Sequence, residues 1–195
     1  SFTEISQGNV SIGSVAIKML EERFEGIQDK SILVIGTGKI GSLVCNHLKE
    51  KHVSAIFVSN RTYAKACELA LHCGGKAINF NQIKNELITA DIIISSTSSP
   101  HIILSHNTLL RVMKLRNKPL VIMDLALPRD VDPQAKDISG ISLFALDDLK
   151  SVVEENCAKR QKEAVSAEKI IQKRLSRFLN TKYMEKDKDL CLVEC

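Results

Sequence analysis

Gly36, Thr37, Gly38, Lys39, Ile40 and Gly41 spell G-x-G-x-x-G directly after the apolar run SILVI at 31–35. In that spacing the first glycine permits a tight turn and the second lets a pyrophosphate approach the backbone. The third lets the following helix pack close to the strand. Free N–H groups at the start of that helix then face the phosphates. The motif alone is common, but inside a strand–helix–strand unit it specifies a dinucleotide site.

The end of the second strand decides which dinucleotide. A site for NAD places Asp or Glu there, to accept from the ribose 2′-hydroxyl. Here the run is Ser59, Asn60, Arg61 and Thr62, with no acid. Arg61 offers a planar fork of donors suited to a 2′-phosphate, so NADP(H) is the expected cofactor. Thr62 can cap the next helix and also reach that phosphate.

Two further strand ends carry candidates, since ligands in open α/β sheets sit beyond the carboxyl ends of the strands. In Ser95–His101 (SSTSSPH) the small hydroxyl residues leave room for a ribose and nicotinamide, and Thr97 and Ser98 are the expected contacts. His101 is either an acid–base group or a solvated loop histidine. In MDLALPRD, Asp124 and Ala126 complete the candidate set, although Asp124 can instead hold loop N–H groups. Arg129 either binds a substrate anion or pairs with Asp130 or Asp132. No catalytic constellation is complete, and no metal-binding spacing occurs. Cys45 and Cys67 fall on expected helices and suit a core.

The elements that position these residues follow from periodicity. Short, continuously apolar runs at 31–35, 55–58, 77–78, 91–95, 120–124 and 142–144 read as buried strands. Helical patterns fall at 9–24, 39–51, 63–73, 81–87 and 108–114, with Asn9 or Ser11 as the first cap and Gly26 as the first stop. Alternating strands and helices with apolar strands define an α/β fold, a doubly wound parallel sheet of the Rossmann type. The expected domain covers 9–144, after a linker remnant at 1–8.

From Ala145 the pattern changes to helical spacing with no Gly or Pro before Lys188. A helix of about 33 residues would run ~50 Å. A domain of ~145 residues has a radius of gyration near ~15 Å, so this helix must leave the globule. Its apolar stripe implies a partner, and a homodimer through 145–180 is the expectation. The tail at 181–195 is expected to be loose. Between Lys150 and Phe178 eight Lys/Arg outnumber four Glu, an excess equal to the +4 of the whole chain. That is either a solvated helix face or a surface for an anionic partner such as RNA. Six scattered cysteines without a C-x-x-C pair, no hydrophobic leader and no membrane-length run point to a reducing cytosol.

These residues resemble the glutamyl-tRNA reductase family. The resemblance is carried by GNVSIGSVA at 8–16, VIGTGKIG at 34–41, SNRTYAKA at 59–66, ADIIISSTSSPH at 90–101, MDLALPRDVDP at 123–133 and LDDLKSVVEEN at 146–156. It implies NADPH-dependent reduction of tRNA-bound glutamate to glutamate-1-semialdehyde, feeding tetrapyrrole (porphyrin) synthesis. In that family an N-terminal catalytic domain carries the nucleophilic cysteine in a motif like S-T-C-N-R, and a long helix leads to a dimerisation domain. No such motif occurs here, so the chain alone is expected to bind cofactor without turnover, its catalytic domain being absent. Glutamyl-tRNA would then be met through the full-length enzyme. Two alternatives remain: a stand-alone, non-catalytic NADP(H)-binding module, and an NADP dehydrogenase of the shikimate dehydrogenase type, which also uses an N-R-T run.

Overall fold

Residues 11–149, 168–172 and 174 are described by the structure, a computed structural model. Contacts divide the chain into residues 10–153 and a second unit made of 1–9 with 154–195. In the second unit the described residues are helical. The expected linker, most of the long helix over 145–180, and the tail lie outside the described residues.

In the first unit the order is α1 (Ile12–Phe24), β1 (Ser31–Ile35), α2 (Lys39–Lys49), β2 (Ala55–Asn60), α3 (Tyr63–Cys73), β3 (Lys76–Asn79), α4 (Ile83–Thr89), β4 (Ile92–Ser95), α5 (His106–Lys114), β5 (Leu120–Asp124) and β6 (Ile141–Ala145). The strands form one sheet in the order β3-β2-β1-β4-β5-β6. Every pairing is parallel. This is the doubly wound fold expected from the sequence. The order reverses between β1 and β4, which opens a crevice at their carboxyl ends.

Side chains alternate across a strand, so an apolar run buried on both faces feeds two cores. Ile32 and Val34 of β1, Ile92 and Ile94 of β4, and Val121 and Met123 of β5 pack with Leu20, Val44, Leu48 and Leu69 from α1, α2 and α3. Leu33 and Ile35, Ile93, and Leu120 and Ile122 pack on the other face with Leu87, Leu109 and Val112 from α4 and α5. Gly13 lets α1 lie tightly on α2: a Cβ there would sit 3.1 Å from Leu43.

Ser11 is the cap of α1, accepting from the Ser14 N–H, while the other candidate, Asn9, is outside the described residues. Glu25, with φ 53°, is the left-handed residue that ends α1, and Gly26 follows it. Helix α5 begins two residues earlier than expected because the Ser105 hydroxyl accepts from Thr108 N–H at 3.3 Å. A 3-10 turn at Pro133–Asp137 and a parallel bridge between Leu104 and Val131 have no counterpart in the sequence pattern. They pin the loops after β4 and β5 to each other. No helix among the described residues is long and apolar enough to cross a membrane.

Candidate functional site

The registers bring four strand ends level. Ile35 of β1 stands between Ser59 of β2 and Ser95 of β4, and Ser95 stands beside Asp124 of β5. Beyond them lies a cleft of about 660 Å³, in the size range of cofactor sites. Its phosphate end is the glycine loop. Gly36 has φ 104° and donates its N–H to the Ser59 carbonyl at 2.8 Å, which ties the loop to β2. A Cβ on Gly36 would meet the Ser96 carbonyl carbon at 2.9 Å, and one on Gly41 would overlap the Gly36 carbonyl oxygen. Gly38 has the opposite surroundings: a Cβ would meet no protein atom within 4 Å. The space beside it is open, as a backbone-hugging pyrophosphate requires.

Helix α2 starts at Gly38 with no side chain capping it, unlike α1 and α5, whose serines accept from the first turn. Its first N–H groups are therefore left for a ligand at the cleft, where Thr37, Lys39 and Ile40 also lie.

Asn60, Arg61 and Thr62 line the cleft at the end of β2. Thr62 stands at the start of α3, but its side chain makes no capping bond there. Lys65, in the first turn of α3, joins Lys39 and Arg61 as a third cation in the lining. It was missed in the sequence: Arg61 lies before α3 begins, so no helical spacing links the two. Among the described residues no Asp or Glu lines the cleft. Arg61 reaches across and donates from Nη2 to the Ser99 hydroxyl at 2.9 Å.

Thr97, Ser98 and Ala126 face the same cleft from the loops after β4 and β5, together with Phe80, Ser96, Ser99, Ile103, Leu125, Leu127 and Leu146. The Ser96 hydroxyl is buried there without a hydrogen-bond partner. Leu127 is 82% exposed, an apolar side chain on the rim. These apolar residues were not singled out in the sequence, because one leucine in a loop carries no periodic signal.

Three expected site residues do not line the cleft. Gly41 packs behind it, and Ser59 is buried behind the glycine loop. Asp124 is 2% exposed and its carboxylate accepts from the N–H groups of Ala126 (3.2 Å), Asp130 (3.3 Å) and Val131 (3.0 Å). Of the two roles open to it, the geometry supports holding the loop. Burial raises its pKa, the three N–H bonds oppose that, and the Asp130 charge raises it again. Asp130, fully buried and unforeseen, accepts from the Ser95 hydroxyl at 2.7 Å, the Thr97 N–H at 2.8 Å and the Thr97 hydroxyl at 2.6 Å. Arg129 pairs with Asp147 at 3.8 Å and not with Asp130 or Asp132. His101 is exposed, and its N–H donates to the Ser99 hydroxyl at 3.3 Å.

Cys45 and Cys73 are buried where α2 meets α3, and Cys67 is exposed; all three are free thiols. Contact between Cys45 and Cys73 raises the pKa of Cys45 and lowers that of Cys73 to about 7. Neither thiol lines the cleft. No cluster of His, Cys, Asp or Glu suited to a metal occurs among the described residues.

A parallel doubly wound sheet with a glycine loop, an uncapped helix start and a cleft at its switch point defines a dinucleotide-binding domain. Residues 18–152 match the model of the shikimate / quinate 5-dehydrogenase family, and the chain belongs to that family. Relatives that it matches over most of its length include glutamyl-tRNA reductases. That of Methanothermobacter marburgensis is 43% identical over 178 residues, 91% of this chain and 44% of the relative. That of Archaeoglobus fulgidus is 40% identical over 176 residues, 90% of this chain and 40% of the relative. The solved glutamyl-tRNA reductase of Methanopyrus kandleri superposes with a TM-score of 0.81 at 36% identity, over 90% of this chain and 44% of that one. The chain thus spans less than half the length of these relatives. The family implies a nicotinamide cofactor, and the open space at Gly38, the uncapped α2 and the cations at the end of β2 fit one.

Proposed function

We propose that this chain is the NADPH-binding part of a glutamyl-tRNA reductase. The whole enzyme would reduce tRNA-bound glutamate to glutamate-1-semialdehyde for tetrapyrrole synthesis. One observation carries the choice of cofactor. Arg61 and Lys65 line the cleft at the end of β2, and among the described residues no carboxylate lines it. A 2′-phosphate meets donors there, whereas the carboxylate that would accept from a 2′-hydroxyl is missing. Bound in this cleft, the cofactor would supply hydride to an acyl carbon. The chain's own part is to bind and orient. Gly36, Gly38 and the start of α2 take the pyrophosphate, and Arg61 with Lys65 takes the 2′-phosphate. Thr97, Ser98 and Ala126 flank the remaining length.

Calorimetric titration of the 195-residue chain with NADPH and NADH tests this. Tighter binding of NADPH is expected, and equal affinities would overturn the assignment. Hydride transfer also needs the acyl group held against the cofactor, in the resembling family by a thioester to a cysteine of another domain. This chain alone is therefore expected to bind NADPH without consuming it. Steady NADPH oxidation that depends on glutamyl-tRNA would contradict that. Dimerisation through the helix expected over 145–180 belongs to the same proposal, and sedimentation at two concentrations checks it.

A further inference from the structure

We propose that Ser99 is a positioning residue for Arg61, and so a determinant of the preference for a 2′-phosphorylated cofactor. The inference rests on reading the cleft as an NADPH site. Arg61 is exposed and, among the described residues, makes no ion pair. A long exposed arginine samples many rotamers, and ordering it on binding costs affinity. Here one bond restrains it. Nη2 donates to the hydroxyl of Ser99, thirty-eight residues away on the opposite wall of the cleft.

Ser99 is itself firmly held. It is 4% exposed, and its N–H donates to the Thr97 hydroxyl at 3.1 Å. The Thr97 hydroxyl donates in turn to Asp130, which is fully buried. A chain of hydrogen bonds therefore runs from the interior, through the loop after β4, to the guanidinium at the end of β2. The acceptor at its end is neutral. A carboxylate in place of the hydroxyl would neutralise Arg61 and compete with a phosphate for it. The serine takes one of five guanidinium donors and leaves the charge and the other donors to the ligand. Ser99 thus restrains the cation without consuming it.

The test is calorimetric titration of the unmodified chain, Ser99→Ala, Arg61→Ala and the double variant. The ligands are NADPH and NADH, with 2′-phospho-ADP-ribose and ADP-ribose as a second pair that differs only by the phosphate. The cost of ordering one long side chain corresponds to about three- to tenfold in affinity. Ser99→Ala is expected to lower the NADPH:NADH affinity ratio by about that factor, and to lower the second ratio equally. In the Arg61→Ala background it should leave both ratios where Arg61→Ala put them. Ser99→Cys keeps the volume with a poorer acceptor, and it should reproduce the loss if Ser99→Ala folds poorly. A general loosening of the loop would weaken both members of each pair alike. Unchanged ratios in a chain that prefers NADPH would overturn the role of Ser99 and leave the cofactor assignment standing. A chain with no preference to begin with would overturn the assignment and this inference together.

Discussion

At the edge where the strands begin, Asp91 sits between Ser31 and Lys118, whereas at the edge where they end Asp124 and Asp130 are buried side by side. Asp91 accepts from the Ser31 N–H at 2.9 Å, the Ser31 hydroxyl at 3.0 Å and the Lys118 ammonium. Nearby, Arg116 donates to the carbonyls of Leu87, Ile88 and Pro119 and so closes the end of α4. At this edge the Asp91 carboxylate is paired with Lys118, and the Arg116 guanidinium is spent on carbonyls, so three strands and a helix are held together. At the other edge neither carboxylate has an ion pair among the described residues. Each is satisfied by N–H or O–H donors of the protein, and the Asp130 charge raises the cost of charging Asp124. Three cations of that edge, Lys39, Arg61 and Lys65, line the cleft instead. A carboxylate paired with a lysine marks the end that only holds. Cations without a carboxylate partner among the described residues, with donors turned to the cleft, mark the end that binds.

The largest effect should come from the buried carboxylates. Asp130→Ala strands the Ser95 hydroxyl and the Thr97 N–H, and a cost of about 3 kcal/mol is expected from urea unfolding. Asp91→Ala, at the partly exposed edge, should cost about 1 kcal/mol. The opposite ranking would break the comparison.

Arg61→Ala should be the next largest, and it should act on the ligand. A charge-assisted contact of about 1.5–3 kcal/mol predicts a loss of one to two orders of magnitude in NADPH affinity. The melting temperature should hardly move, since Arg61 is exposed. A large loss of stability with unchanged affinity would place Arg61 with the holding residues.

The pH dependence sharpens the same contrast. At Asp91 burial raises the pKa, but the bonds from Lys118 and Ser31 outweigh it and the net shift is downward. Its contribution is present above the ordinary value of 3.8 and is lost as pH falls through the lowered one. Asp124 is shifted upward by burial and by Asp130. Its protonated form is favoured in the fold, so its contribution is full below 3.8 and is lost as pH rises through the raised value. Urea midpoints measured from acid to neutral pH should therefore change in opposite directions for Asp91→Asn and Asp124→Asn, each relative to the unmodified chain. Parallel curves would remove the distinction.

The smallest effect belongs to Lys118. Its side chain is 46% exposed, so Lys118→Ala should cost under about 1 kcal/mol, and less in high salt. It should leave NADPH affinity unchanged, which a titration beside that of Arg61→Ala would show.

The apolar runs at 31–35, 91–95 and 120–124 hold the buried strands β1, β4 and β5, with β4 starting one residue later at Ile92, and the glycine spacing at 36–41 is the tight loop that it predicts. Those features were legible because each is written in consecutive residues: a continuous apolar run, a period near 3.6, a glycine where no side chain fits. The missing acid after β2 was legible for the same reason. The partner of each polar side chain was not. Asp124 turns to its own loop, and Asp130 gathers Ser95 and Thr97 from thirty-five and thirty-three residues away. Arg61 crosses to Ser99, and Arg129 pairs with Asp147. Such bonds exist only after the parallel crossovers have brought the ends of β2, β4 and β5 level, so no local pattern encodes them. The sequence by itself determined the strands, the loop and the sign of the charge at the cofactor end; the packed sheet alone decided which carboxylates hold loops and which wall of the cleft holds the arginine.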